Sequence, residues 1–216
     1  MVLGHLIGGK AVAGAGGRRA DVYDPATGQV TRQVALAGRA EIDAAVAAAA
    51  AAFPAWAATP AARRARVMFR FKQLIEAHAD ELARLITSEH GKVLSDAAGS
   101  LARGLENVDF ASAIPQLQKG EFSESVGAGI DSYTLRQPLD VVVGFLAWNY
   151  PLLNLGYKLG PVLAAGCTAV IKPSQHTPLA TLAAAELLTE AGIPAGVINV
   201  VASDDRSAAD CLLQSS

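Results

Sequence analysis

Residues 141–201 read VVVGFLAWNYPLLNLGYKLGPVLAAGCTAVIKPSQHTPLATLAAAELLTEAGIPAGVINVV. The first seven, Val141 to Ala147, form a short apolar run rich in β-branched side chains, as a buried strand requires. Leu152 to Ala165 is apolar over a helical length, and Thr168 to Lys172 is a second β-type run. Thr177-Pro178 then opens another helix, Gly192 closes it, and Pro194 follows. Val197 to Val201 is a third strand. Strand, helix, strand, helix, strand with tight connections specifies an α/β unit with a doubly wound parallel sheet. In such sheets ligands bind at the carboxyl ends of the strands. The polar residues of this stretch gather there: Trp148 and Asn149 after the first strand, then Lys172, Ser174 and Gln175 after the second.

The bulk composition narrows the rest. With 216 residues, 51% hydrophobic and 18% charged, the chain can bury a core, suits one or two domains, and is globular in composition. A net charge of −2 gives no electrostatic reason to expect nucleic acid or an anionic membrane as partner. No apolar run in the sequence reaches the length of a membrane span, and the start lacks a signal-peptide pattern. Cys167 and Cys211 form no spaced framework, which fits a reducing compartment. The expectation is a soluble cytoplasmic enzyme domain.

Ahead of that stretch the sequence reads as a hairpin followed by helices. His5 to Val30 is expected to be one hairpin, its tip at Gly14 to Gly17, its second arm running through Ala20 to Tyr23 into the turn Asp24-Pro25-Ala26-Thr27-Gly28. Gly8 and Gly9 lack the Lys-Ser/Thr of a phosphate loop and belong to the hairpin. A helix is expected from Ala40 through the alanine run, with Phe53-Pro54-Ala55-Trp56 as its stop. Thr59 as N-cap and Pro60 at the first position open the next, whose inner face is Val67, Met68, Phe71, Leu74 and Ile75. His78 reads as a polar residue at its end. A third helix, about Ala79 to Ser88, turns Leu82, Leu85 and Ile86 inward. Gly91 ends this region after Glu89-His90, two neighbours that point apart at a helix end and read as structural. Arg103 lies in a further helical run that ends before Pro115. Its guanidinium fork suits a carboxylate ligand, and Glu106, three residues on, is the ordinary alternative partner. Ser132 to Leu135 alternates like an exposed edge strand.

At the ligand-facing turn no G-x-G-x-x-G follows the first strand, so the usual tight pyrophosphate turn is absent. Trp148-Asn149-Tyr150-Pro151 stands in its place. The amide of Asn149 can donate two hydrogen bonds, as a developing oxyanion needs, or it can serve as a helix N-cap. Lys172 ends a strand whose other members are apolar, within reach of ligand hydroxyls or snorkelling to water. Cys167, in AAGCTAVI, reads as a buried small thiol.

These pieces, WNYP at Trp148–Pro151, Lys172-Pro173-Ser174, GIPAGVINVV, the opening GGK…DPATG and the Glu89-x-Gly91-Lys92 element, resemble the aldehyde dehydrogenase superfamily from near the start of the chain to Val201. Arg103-Gly104 is similar to the methylmalonate-semialdehyde dehydrogenase branch. The resemblance implies a Rossmann-like fold made of an incomplete dinucleotide-binding domain at 1–124 and 141–216, the start of an oligomerisation arm at 125–140, and a homo-oligomer. It implies that NAD, with NADP left open, contacts Leu146, Trp148, Lys172, Ser174, Gln175 and His176. Lys172 would take the adenosine ribose, Asn149 would stabilise the thiohemiacetal and thioester oxygen, and Arg103 would grip the carboxylate of a small semialdehyde. Coenzyme A or water would accept the acyl group. Gln175 stands where a glutamate is common, which weakens a preference for NAD over NADP, since a carboxylate repels a 2′-phosphate and an amide does not. Asp140 stands where a glycine is common, which bears on turn geometry alone.

The family's nucleophilic cysteine lies in a later domain, and neither Cys167 nor Cys211 stands in its motif. No serine–histidine–aspartate or metal-ligand spacing replaces it. The expectation is a truncated chain, inactive alone, or else a non-catalytic cofactor-binding or assembly protein. A last helix is expected at Asp210 to Leu213.

Overall fold

In the computed structural model, which describes residues 2–204 and 209–212, the chain opens with strands β1 (Val2–Leu3), β2 (His5–Ile7), β3 (Lys10–Val12), β4 (Arg19–Asp24) and β5 (Gln29–Ala35). Helices α1 (Arg39–Ala57), α2 (Ala61–Ala77), α3 (Ala79–His90), α4 (Leu94–Ser112) and α5 (Ile114–Leu117) follow. A hairpin of β6 (Phe122–Gly127) and β7 (Ile130–Tyr133) leads to β8 (Val141–Phe145), α6 (Pro151–Ala165), β9 (Thr168–Lys172), α7 (Leu179–Glu190) and β10 (Ile198–Val200). Residues 209–212 are helical; Leu213, the end of the last expected helix, lies outside the described residues.

The three β-type runs pair as parallel neighbours. Val141 lies opposite Thr168 and Phe145 opposite Lys172, while Ile198 lies opposite Ala169 and Val200 opposite Ile171. Both faces of β9 are covered, and its side chains alternate between them with period two. Ala169 and Ile171 join the larger core with Leu155, Leu159 and Leu163 of α6 and Leu188 of α7. Val170 turns the other way, to Ile42, Ala45 and Ala49 of α1. Helices on both faces make the sheet doubly wound.

The N-terminal strands depart from expectation. The hairpin is not one unit tipped at Gly14–Gly17. It is two: β2 pairs with β3 across a tight turn at Gly8-Gly9, and β4 pairs with β5 across the Asp24–Gly28 turn. The first extends the parallel strands into a mixed sheet, order β3-β2-β10-β9-β8, with β2 antiparallel to β10. The second joins β1 in a separate sheet. The buried amide of Asn199 fixes the junction: its Oδ1 accepts from the Gly8 N–H at 2.9 Å and its Nδ2 donates to the Gly196 carbonyl at 2.8 Å.

Two helix signals also resolve differently. Pro54 does not stop α1, which runs on to Ala57, and Thr59 does not cap α2; its hydroxyl donates back to the Ala55 carbonyl at 2.9 Å, and Pro60 is the N-cap. In length and composition α1 is apolar enough to cross a membrane, which no run in the sequence was expected to reach. Alanine supplies much of that character, and one stripe of the helix packs on the sheet.

Helices α4 and α6 touch backbone to backbone. A Cβ on Gly156 would lie 2.5 Å from the Gly104 carbonyl oxygen, and one on Gly104 would lie 2.9 Å from that of Leu152. Only glycine fits both positions, and the close crossing sets Arg103 beside the start of α6.

Candidate functional site

The carboxyl ends of β8 and β9 form one edge, held together by the Leu146 N–H, which donates to the Lys172 carbonyl at 2.9 Å. Leu146 is buried at this seam. From it the chain turns through Trp148, Asn149 and Tyr150 into α6, while the neighbouring strand runs from Lys172 through Ser174, Gln175 and His176 into α7. Asn149 and Lys172, the two residues on which the sequence reading hinges, therefore leave adjacent strands at the same edge.

Asn149 is exposed. It is not the N-cap of α6; Tyr150 is, and no side chain caps that helix. Among the described residues the Asn149 amide has no hydrogen-bond partner within the chain, which leaves its two N–H donors available. Trp148 is exposed too. Its ring stacks on His90 at 5.3 Å between centroids, and its carbonyl accepts from the buried Thr177 hydroxyl at 3.3 Å. This bond ties the two loops to each other.

Lys172 is half-buried, and burial pulls its ammonium below the usual lysine range, opposed by Asp204. Ser174 uses its hydroxyl to accept from the His176 N–H at 3.2 Å, which turns the loop back on itself. Gln175 is half-buried and His176 exposed. Arg103 stands apart from these residues, on α4. It is exposed, and its guanidinium lies over the Tyr150 ring at 6.0 Å. Its Nε donates to the Gly99 carbonyl at 3.3 Å. The alternative pairing with Glu106 does not form among the described contacts. Lys92 reaches the same ring, its ammonium 4.2 Å from the centroid, while forming an ion pair with Asp96 at 3.0 Å.

The structure brings in two residues that the sequence reading set aside. Glu89, buried at 3% exposure, accepts from the backbone N–H groups of Leu179 at 2.8 Å and Ala180 at 3.1 Å. Burial pushes its carboxyl up to about 7, against those two bonds and Arg32, which lower it. His90 is held below its ordinary range by burial first and then by the Lys92 ammonium, opposed by Asp96, and its ring faces Trp148. One signal was available: an acid in the last turn of a helix opposes the macrodipole and asks for a partner elsewhere.

The two cysteines lie away from this edge or out of it. Cys167 precedes β9 at the opposite end of the sheet, buried, with its sulfur accepting from the Leu139 N–H at 3.2 Å. Cys211 lies beside Arg39 at the start of α1. Among the described residues no cluster of three metal-ligating side chains is present.

A primary amide, an ammonium, a hydroxyl and an exposed indole at a strand edge suit a ligand with hydroxyls and an aromatic base. Residues 12–216 match the aldehyde dehydrogenase family. The chain is 48% identical over 212 residues to the malonate-semialdehyde dehydrogenase of Pseudomonas aeruginosa, covering 98% of this chain and 42% of that protein. Among solved structures, a Sinorhizobium meliloti protein assigned as methylmalonate-semialdehyde dehydrogenase and complexed with NAD superposes with a TM-score of 0.97 at 45% identity. The methylmalonate-semialdehyde dehydrogenase DddC of Oceanimonas doudoroffii gives 0.96 at 46%. Both matches cover 100% of this chain and 44% of the other. The chain thus spans less than half the length of the relatives it matches.

Proposed function

This chain belongs to the aldehyde dehydrogenase family, and from that premise we propose that it forms the cofactor-binding part of an NAD-dependent semialdehyde dehydrogenase of the malonate or methylmalonate type. The observation that carries the reading is the pairing of Asn149 and Lys172 at one edge of adjacent strands, joined through the Leu146–Lys172 bond. Lys172 and Ser174 would hold the adenosine ribose, with Trp148, Gln175 and His176 around it. An amide at Gln175 does not repel a 2′-phosphate, so NADP is admitted beside NAD. The cofactor, when bound, supplies the hydride acceptor.

The chain's own contribution to the chemistry is the Asn149 amide. Two N–H donors just ahead of a helix start would stabilise an oxygen on which negative charge develops as a cysteine thiolate adds to the aldehyde carbon. Cys167 lies at the wrong end of the sheet for that addition, which favours a nucleophile from outside the described residues and supports expecting binding, not turnover, from these 216 residues. The same observation supports the second reading, a cofactor-binding or assembly protein without catalysis. Arg103, exposed over Tyr150 and unpaired with Glu106, would take the substrate carboxylate; coenzyme A or water would take the acyl group. The exposed Phe122, Val126, Ile130, Tyr133 and Leu135 of the β6–β7 arm support a homo-oligomer, since large apolar side chains gathered on one arm ask for cover. The location expected is the cytoplasm.

Calorimetric titration of the purified chain with NAD and with AMP tests the reading. Binding of both is expected, with Lys172→Ala about tenfold weaker through loss of one charge-assisted hydrogen bond. Absence of binding at millimolar nucleotide contradicts it.

A further inference from the structure

The helix that follows the Lys172–Pro178 loop has no cap of its own. Its N-cap is Pro178, whose side chain carries no acceptor, and no local side chain bonds to the first turn of α7. The first four N–H groups of a helix need partners from somewhere. Here two of them, at Leu179 and Ala180, find partners on a distant helix, in the two carboxylate oxygens of Glu89. The next residue along α3, His90, leaves the same helix end in another direction and stacks on Trp148. The start of α7, which follows one loop of the strand edge, and the Trp148 turn of the other are thus each held by one of two consecutive residues. Gly91, at φ 84°, ends α3 immediately beyond them.

We propose that the last turn of α3 is a bracket that sets the separation of the two nucleotide-facing loops, with Glu89 the positioning residue for the Lys172–Thr177 loop and His90 the positioning residue for the Trp148–Asn149 turn. The inference rests on the nucleotide-binding reading above. It goes further by assigning a role to residues that touch neither nucleotide nor substrate. A helix cap placed for stability alone would come from the loop itself, where Ser, Thr or Asp at the N-cap costs little. Glu89 instead places an acidic group in an apolar interior, where its charged form is penalised. A group that costs stability and ties down a binding loop is what a positioning role looks like. Thr177, bonded to the Trp148 carbonyl, closes the frame from the opposite side.

The test measures AMP and NAD affinity of the full chain by calorimetry at pH 8, with thermal melting recorded on the same samples. Glu89→Gln keeps shape and removes the charge. One of the two N–H groups at the start of α7 then meets an amide N–H, and both affinities should fall about tenfold while the melting temperature falls by no more than about 4 °C. His90→Ala should weaken NAD more than AMP, because the turn it braces carries Asn149 and not Lys172. Glu89→Asp, which retains the charge and shortens the reach by one methylene, should show the same affinity loss and stands in if the glutamine variant fails to fold. Affinity within twofold of the unsubstituted chain in Glu89→Gln or, failing that, Glu89→Asp overturns the bracket. So does an affinity loss that merely tracks a large fall in melting temperature. If the unsubstituted chain binds neither nucleotide, the nucleotide reading itself fails and takes the bracket with it.

Discussion

The two ends of α6 treat polar groups in opposite ways. At its C-terminal end every available group is consumed inward. Arg64, 5% exposed, donates from Nε to the Ala164 carbonyl at 2.8 Å and from Nη2 to the Ala165 carbonyl at 3.2 Å. It also bonds the Thr59 carbonyl and the Gln118 side chain. The Trp56 indole donates to the Leu163 carbonyl at 3.1 Å. At the N-terminal end no side chain caps the helix, and Asn149 points its amide at solvent. A cation on the last carbonyls of a helix is favourable, and a satisfied buried guanidinium locks three helices together. An uncapped, polar start is a poor way to end a helix and a good way to meet a ligand. Where polar atoms are used up, the chain is building itself; where they are spared, it is prepared for something else.

The sharpest way to break this contrast is to open the sealed end. Arg64→Ala strips partners from carbonyls of α6 and from the end of α1, and should cost about 3 kcal/mol in urea unfolding. Nucleotide affinity measured under folding conditions should stay near that of the unsubstituted chain. The next test concerns charge near the spared end. Glu89 has a folded value of about 7 against 4.5 for the free side chain, so the folded state holds the proton more tightly. Its contribution is fully present below about pH 4.5 and is lost as pH rises toward 7, a change of about 3 kcal/mol. Glu41, held below its ordinary range chiefly by the bond from the Ala15 N–H, has the opposite sign: its stabilisation is present above 4.5 and fades in acid. The difference between the chain and its Glu89→Gln variant, followed by urea unfolding from pH 4.5 to 8, isolates the first. The variant should lack the loss between 4.5 and 7. The smallest effect is expected at Asp140, which sits at φ 79° just before β8, a conformation glycine adopts without strain. Asp140→Gly should stabilise the chain by about 1 kcal/mol and leave the contrast between the two ends intact.

Much of this was legible in the sequence. The run Thr168–Lys172 is the strand itself, and Leu152–Ala165 is the helix but for Pro151, because short β-branched runs and a long apolar one leave little choice of period. The edge that carries Asn149 and Lys172 followed from chain direction alone. The N-terminal hairpins were less legible. Gly8-Gly9 and Gly14–Gly17 offer equally good turns, and the choice is made by β10 and Asn199, almost two hundred residues away. Pro54 is compatible with a helix once α1 is packed against the sheet, and nothing local announces that. The role of Glu89 was hidden for the same reason: its partners, Leu179 and Ala180, are backbone N–H groups, which no side-chain pattern reveals. Arg103 was read with two partners in view; the structure withholds Glu106 and supplies Tyr150, a neighbour created by the glycine contact of α4 with α6.

The central claim is that the edge formed by the carboxyl ends of β8 and β9 receives the nucleotide. The most direct measurement is the change in backbone amide NMR shifts of the chain on titration with AMP. The account predicts perturbation concentrated at residues 146–150 and 172–177, with Arg64, Cys167 and Gln118 at the sealed end unmoved. Shifts confined to the sealed end, or none at saturating AMP, would contradict it.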